Sequence, residues 1–82
     1  MGVEDILTEW SARVVGTMHR CYISQAELAH EMGVSRQRLS RVLTDRPPTN
    51  QAKGRVDTAL RSCLLKKGLP ADEIYPEEAR PD

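Results

Sequence analysis

The chain has 82 residues, enough for one hydrophobic core and not for two, since independent domains usually need roughly 50–200 residues. Twelve Lys and Arg balance twelve Asp and Glu, and a formal net charge of zero argues at face value against a polyanionic partner. No apolar run approaches the ~18 residues of a membrane span, the start with Glu4 and Asp5 lacks a signal peptide's basic and apolar regions, and Cys21 and Cys63 form no CxxC pattern; the expectation is a soluble cytoplasmic protein with no disulfide framework and no cysteine-rich zinc site.

From Val3 to about Arg20, the residues Leu7, Trp10, Val14, Met18 and Cys21 recur at steps of three and four, the spacing of one apolar helix face, which Gly16 weakens without cancelling. Next, Ser24 is placed to cap the amide of Glu27, whose carboxylate reaches back, while Ile23 packs on Leu28 as a hydrophobic staple. That second helix ends at Gly33, the residue best able to take a left-handed stop. The pattern then recurs with Val34 as staple, Ser35 as N-cap and Leu39 as the apolar contact, and predicts a short helix from Arg36 to about Thr44. Pro47 and Pro48 end it, because the residue before a proline is biased away from the helical region. Val56, Ala59, Leu60, Cys63 and Leu64 return at helical spacing between Thr49 or Asn50 and Lys67, with Gly68 as the stop. Beyond it, at most one turn is expected around Ala71 to Tyr75, with Ile74 and Tyr75 folded back on the bundle and a frayed acidic end.

Nothing reads as a strand, so the expected class is all-α, a compact four- to five-helix bundle with residues 1–68 as the folded domain and 69–82 as a C-terminal segment. With no Phe, one Trp and two Tyr, its core is aliphatic and small. Leu60, Leu64, Leu65, Leu69, Ile74 and Tyr75 offer more apolar side chain than such a core easily covers, which points to a surface for a second copy.

The functional signal lies in residues 25–44, QAELAHEMGVSRQRLSRVLT. A helix, a short turn containing Gly and a second helix make a helix-turn-helix unit, and the spacing meets its steric demands. Leu28 and Met32, Val34 in the turn, and Leu39 and Val42 point to one shared core; Ala29 lies where the helices cross; Gly33 permits the tight turn without a Cβ penalty. Over this stretch the sequence resembles the phage-repressor and Cro-like (Xre-type) helix-turn-helix regulators, and more loosely so from Trp10 to Leu65. The resemblance implies that Arg36 to Thr44 is a recognition helix placed in the major groove of double-stranded DNA, and that Gln25 sits against the DNA backbone. The chain departs from the family at Thr44-Asp45-Arg46-Pro47-Pro48, where many members place a Gly. No ligand-sensing or self-cleaving domain follows, so control by a built-in sensor is not expected.

The residues of the third helix agree with that placement. At ~100° per residue, Arg36, Gln37, Ser40, Arg41 and Thr44 share one polar arc while Leu39, Val42 and Leu43 fall on the other side. Arg makes bidentate contacts with guanine and Gln with adenine, so Arg36, Gln37 and Arg41, with Ser40 and Thr44 beside them, are the candidate base readers. Ser24, Gln25, Ser35, Arg38, Arg46, Asn50 and Lys53 are the candidate backbone contacts. Charge by region removes the opening objection: from Arg36 to Lys67 nine bases face two acids, and residues 69–82 carry one base against five acids.

Blander readings attach to the remaining residues. His30 is an exposed helix residue, His19 with Cys21 makes no ligand set, and Cys63 and Trp10 are core. No nucleophile-base-orienter set, catalytic carboxylate pair, Gly-rich phosphate loop or HExxH motif is visible, so neither an enzyme nor a cofactor or small-molecule ligand is expected. The function expected is sequence-specific DNA binding as a homodimer, in a repressor-type regulator. The rivals are a protein-interaction module such as an antitoxin or adaptor, using Asp72, Glu73, Glu77 and Glu78, and a DNA-targeting accessory of recombination.

Overall fold

Residues 9–44 and 49–76 are described by a computed structural model. The apolar periodicities become five helices: α1 (Glu9–Arg20), α2 (Gln25–Met32), α3 (Arg36–Thr44), α4 (Asn50–Lys66) and α5 (Ala71–Ile74). The described residues contain no strand, and the protein is an all-α bundle. The expected helix start at Val3 with Leu7, the proline stop at Pro47 and Pro48, and the acidic end beyond Pro76 lie outside the described residues. Among the described residues no helix is long and apolar enough to cross a membrane.

Local chemistry sets the helix boundaries. The Glu27 amide donates to Ser24 Oγ at 3.0 Å and the Ser24 amide donates to Glu27 Oε1 at 3.1 Å, the reciprocal capping box at the start of α2. Ser35 Oγ accepts from the Arg38 amide at 3.1 Å, and Thr49 Oγ1 from the Ala52 amide at 3.1 Å, so α3 and α4 each begin on a hydroxyl cap. Three helices end in the same six-residue closure. The Ile23 amide donates to Met18 O at 2.8 Å, Val34 to Ala29 O at 3.0 Å and Leu69 to Leu64 O at 3.0 Å. Each closure needs a left-handed residue just before its last amide; Gly33 (φ 74°) and Gly68 (φ 75°) supply two, and Tyr22 (φ 58°) supplies the third.

Packing is organised by α4, which lies against α2, α1 and α5, while α3 leans on α2. Val14 and Met18 of α1, Leu28 and Ala29 of α2, Leu39 and Leu43 of α3, and Val56, Leu60 and Leu64 of α4 form one buried seam, closed by Ala71 and Tyr75. Fully burying one such leucine contributes about 1.5–3 kcal/mol, against at most about 1 kcal/mol for an exposed ion pair. The aliphatic seam therefore stabilises the bundle, and the charges on its surface orient the helices.

Two expectations about that surface are corrected. The apolar residues after Leu60 are largely consumed within the protomer: Leu60 and Leu64 are fully buried, Tyr75 is 4% exposed, and Leu69 and Ile74 pack against the core because α5 folds back over α4. Of that set only Leu65, at 63% exposed, stays open. The basic excess is also smaller in space than in sequence. Lys66 Nζ pairs with Glu31 Oε1 at 2.6 Å, Lys67 Nζ with Glu27 Oε2 at 3.5 Å, and Arg61 with Asp72, so acids of α2 and α5 neutralise the C-terminal half of α4.

Ser62 Oγ donates to the other oxygen of Glu31 at 2.8 Å, so this carboxylate joins α2 to α4 through two partners. The hydrogen bond from Lys66, then that from Ser62, lower the Glu31 pKa below its ordinary value of 4.5. A carboxylate with a depressed folded pKa contributes stability above its unfolded value, and that contribution is lost as pH falls through the folded value. Glu31→Gln is accordingly expected to flatten the fall in urea midpoint between about pH 5 and pH 3. An acid limb identical to that of the parent protein would refute the assignment.

Candidate functional site

α2 presents α3 through a short turn in which the Gly33 amide donates to His30 O at 3.1 Å and the Val34 amide to Ala29 O at 3.0 Å. Leu39 is completely buried and Leu43 is 2% exposed, and Val42 packs partly against the same core, which fixes the rotation of α3 about its axis. Ser35 at its start and the left-handed Gly33 behind it fix where it begins. A nine-residue helix is too short to be stable alone in water, so these anchors decide which face it shows.

That face is the one the sequence singles out. Arg36, Gln37, Ser40, Arg41 and Thr44 are all exposed, as is Arg38 at the edge of the arc. Arg36, Gln37, Arg38 and Arg41 have no side-chain hydrogen bond or ion-pair partner among the described residues. Within the described residues their donors and acceptors are unengaged. Thr44 differs: its hydroxyl donates at 3.1 Å to the carbonyls of both Ser40 and Arg41, so only its methyl group and lone pairs face outward.

The candidate backbone contacts divide by element. Ser24 and Gln25 are exposed at the start of α2, Ser35 at the start of α3, and Asn50 at the start of α4, while Lys53 is half-buried one turn further on. Arg46 lies outside the described residues. Ser24 and Ser35 each accept a helix amide through a lone pair, which leaves each hydroxyl proton free to be donated to an anion. Capping and anion contact are thus compatible on one side chain.

Two further residues stand out in three dimensions and not in the sequence. Arg55 is exposed, has no ion-pair partner among the described residues, and lines with Gln51, Thr58 and Met32 an open hollow of about 540 Å³ between α2 and α4. Its signal in the sequence is the four-residue step from Gln51, which puts both on one helix face. Tyr22 is 87% exposed in a left-handed conformation, and its signal is a tyrosine in the position that Gly33 and Gly68 fill in the equivalent closures.

Trp10 is half-buried and its indole N–H donates to Asp57 Oδ1 at 2.9 Å, which places it with the scaffold rather than on an open face. Cys63 is buried in the seam, and burial raises its thiol pKa, so the thiol stays protonated and unreactive. Among the described residues no group of three or more His, Cys, Asp or Glu is arranged to hold a metal ion. α3 therefore presents an exposed, polar face rich in arginine, backed by the buried Leu39 and Leu43. No family model, curated protein or solved structure matches the chain, so the reading of this face rests on its own residues.

Proposed function

We propose that the protein is a sequence-specific DNA-binding regulator of the Xre type, acting as a repressor, that inserts α3 into the major groove of double-stranded DNA as a homodimer. The observation that carries this reading is the exposed arc of Arg36, Gln37, Ser40 and Arg41, unpaired within the described residues and locked in orientation by Leu39 and Leu43. Arg and Gln on a rigid helix match the paired acceptors of guanine and the donor-acceptor pair of adenine. Ser24, Gln25, Ser35 and Asn50 at three helix starts, with Lys53 nearby, supply phosphate contacts that fix register without reading sequence. One short recognition helix spans few base pairs, so specificity calls for two copies about one helical turn apart. Of the apolar residues from Leu60 to Tyr75, Leu65 is the exposed one and is offered for that pairing. The protein-interaction reading is weaker, because Asp72, one of the acids it needs, is engaged by Arg61.

Selection of preferred duplexes from a random library tests the proposal directly. A palindromic consensus is the expected result; recovery of no enriched sequence would rule the reading out. Against the selected duplex, Lys53→Ala is expected to weaken binding about equally for all sequences and to reduce the slope of log K against log salt by roughly one counterion's worth, about 0.9. Loss of base preference with an unchanged salt slope would instead make Lys53 a base reader.

A further inference from the structure

The three equivalent helix closures expose an anomaly at Tyr22. Two of them place glycine at the left-handed position, and the third holds a tyrosine at φ 58° with its ring 87% exposed. A bulky residue in that region is strained, and an exposed aromatic ring gains nothing from burial to offset it. Its hydroxyl makes no hydrogen bond to any described residue. The fold thus gains nothing visible from tyrosine here, whereas glycine would close α1 without strain.

The surroundings of Tyr22 indicate an occupant. Tyr22 shares a hollow of about 420 Å³ with Val15, Met18, Ile23, Ser24 and Gln25. Val15 and Met18 of α1 with Ile23 make its apolar part, His19 of α1 with Ser24 and Gln25 at the start of α2 its polar part, and no acidic residue lines it. Arg20, beside His19, is exposed. Glu27, the acid in the first turn of α2, is held by the Ser24 amide and by Lys67. A sugar-phosphate strand combines an apolar ribose face with an anionic oxygen and fits both parts.

Resting on the DNA reading above, we infer that Tyr22 is a DNA-backbone contact held in a strained conformation for that purpose: its phenol donates to a phosphate flanking the reading site while its ring lies against the adjacent deoxyribose. The contact positions the protein and carries no base information. Because a neutral phenol displaces no counterion, its effect on affinity is independent of salt, unlike that of Lys53.

Tyr22→Gly and Tyr22→Phe, measured against the duplex selected from the random library, test the inference. Tyr22→Gly is expected to raise the thermal midpoint by roughly 3–8 °C as the strain is relieved, and to weaken binding about tenfold. Tyr22→Phe keeps ring and strain, so its midpoint should match the parent while its affinity falls by a smaller factor than in Tyr22→Gly, the hydroxyl's share alone. Both variants should retain the selected consensus and the parent salt slope. Parent-like affinity in Tyr22→Gly overturns the inference while leaving the DNA reading intact. Parent-like affinity in Tyr22→Phe alone overturns the phosphate donation. Failure of the parent protein to bind any duplex removes the DNA reading, and the inference with it.

Discussion

Asp57→Ala is expected to lower the unfolding free energy by about 2–4 kcal/mol, read as a shift in urea midpoint at unchanged slope. One oxygen of this carboxylate, Oδ1, accepts from Trp10 Nε1 of α1 at 2.9 Å and from the hydroxyl of Tyr75, just beyond α5, at 2.5 Å. Asp57 therefore ties the first and the last helix to α4. Burial, then the hydrogen bond to Asp57, raise the Tyr75 pKa, so the phenol remains a donor across the working pH range. Removing the acceptor leaves two donors inside or beside the core, and each orphaned group costs about 1–3 kcal/mol; the half-exposure of Trp10 keeps the sum below the upper limit.

Tyr75→Phe separates this network from simple packing. It removes one donor and leaves Asp57 paired with Trp10, so a smaller loss of about 0.5–1.5 kcal/mol is expected. The ring keeps its place under Arg13, whose guanidinium carbon lies 5.1 Å from its centroid. Combining the two substitutions should cost less than their sum, because both act on one hydrogen bond. An Asp57→Ala midpoint within experimental error of the parent would show that the network contributes orientation and no net stability.

Local chemistry is legible in the sequence, and long-range chemistry is hidden in it. The capping box of Ser24 and Glu27, the stop at Gly33 and the cap at Ser35 each involve residues three to six apart, and side-chain type at that spacing decides the outcome. The polar arc of α3 is legible for the same reason, since the helical period of about 3.6 residues places Leu39 and Leu43 on one arc of the helix and Arg36, Gln37 and Arg41 on another. The partners of Asp57 lie 47 and 18 residues away, and no periodicity marks them. The same holds for Glu31 with Ser62 and Lys66, which turn an apparently open basic stretch into paired charge. The apparent surplus of apolar residues after Leu60 has a similar origin, because a four-residue helix leaves too short a period to announce itself. Once Ala71 and Tyr75 enter the core, Leu60 and Leu64 gain a cover. Strain at Tyr22 is legible only by comparison, when three closures are seen to share one geometry.

Arg36→Ala and Gln37→Ala are each expected to weaken binding to the preferred duplex by about 1–3 kcal/mol for every base they cease to read, and to relax preference at that base position. In a symmetric dimer each substitution acts at both half-sites, so a fall of roughly 10²–10⁴ in affinity is the scale to look for. Stability should stay within about 0.5 kcal/mol of the parent, because both side chains are exposed and neither has a partner among the described residues. The charge balance makes this prediction sharper than in a uniformly basic protein. The total is zero, and Arg61, Lys66 and Lys67, three of the nine bases from Arg36 to Lys67, are engaged by Asp72, Glu31 and Glu27, which lowers the charge available to hold DNA without reading it. Non-specific affinity should therefore be low, and the ratio of specific to non-specific binding should rest on α3. Competition between the selected duplex and a scrambled one measures that ratio: it should collapse toward one in the Arg36→Ala, Gln37→Ala double variant. A ratio that survives the double substitution would move base reading away from the first turn of α3, to Ser40 and Arg41.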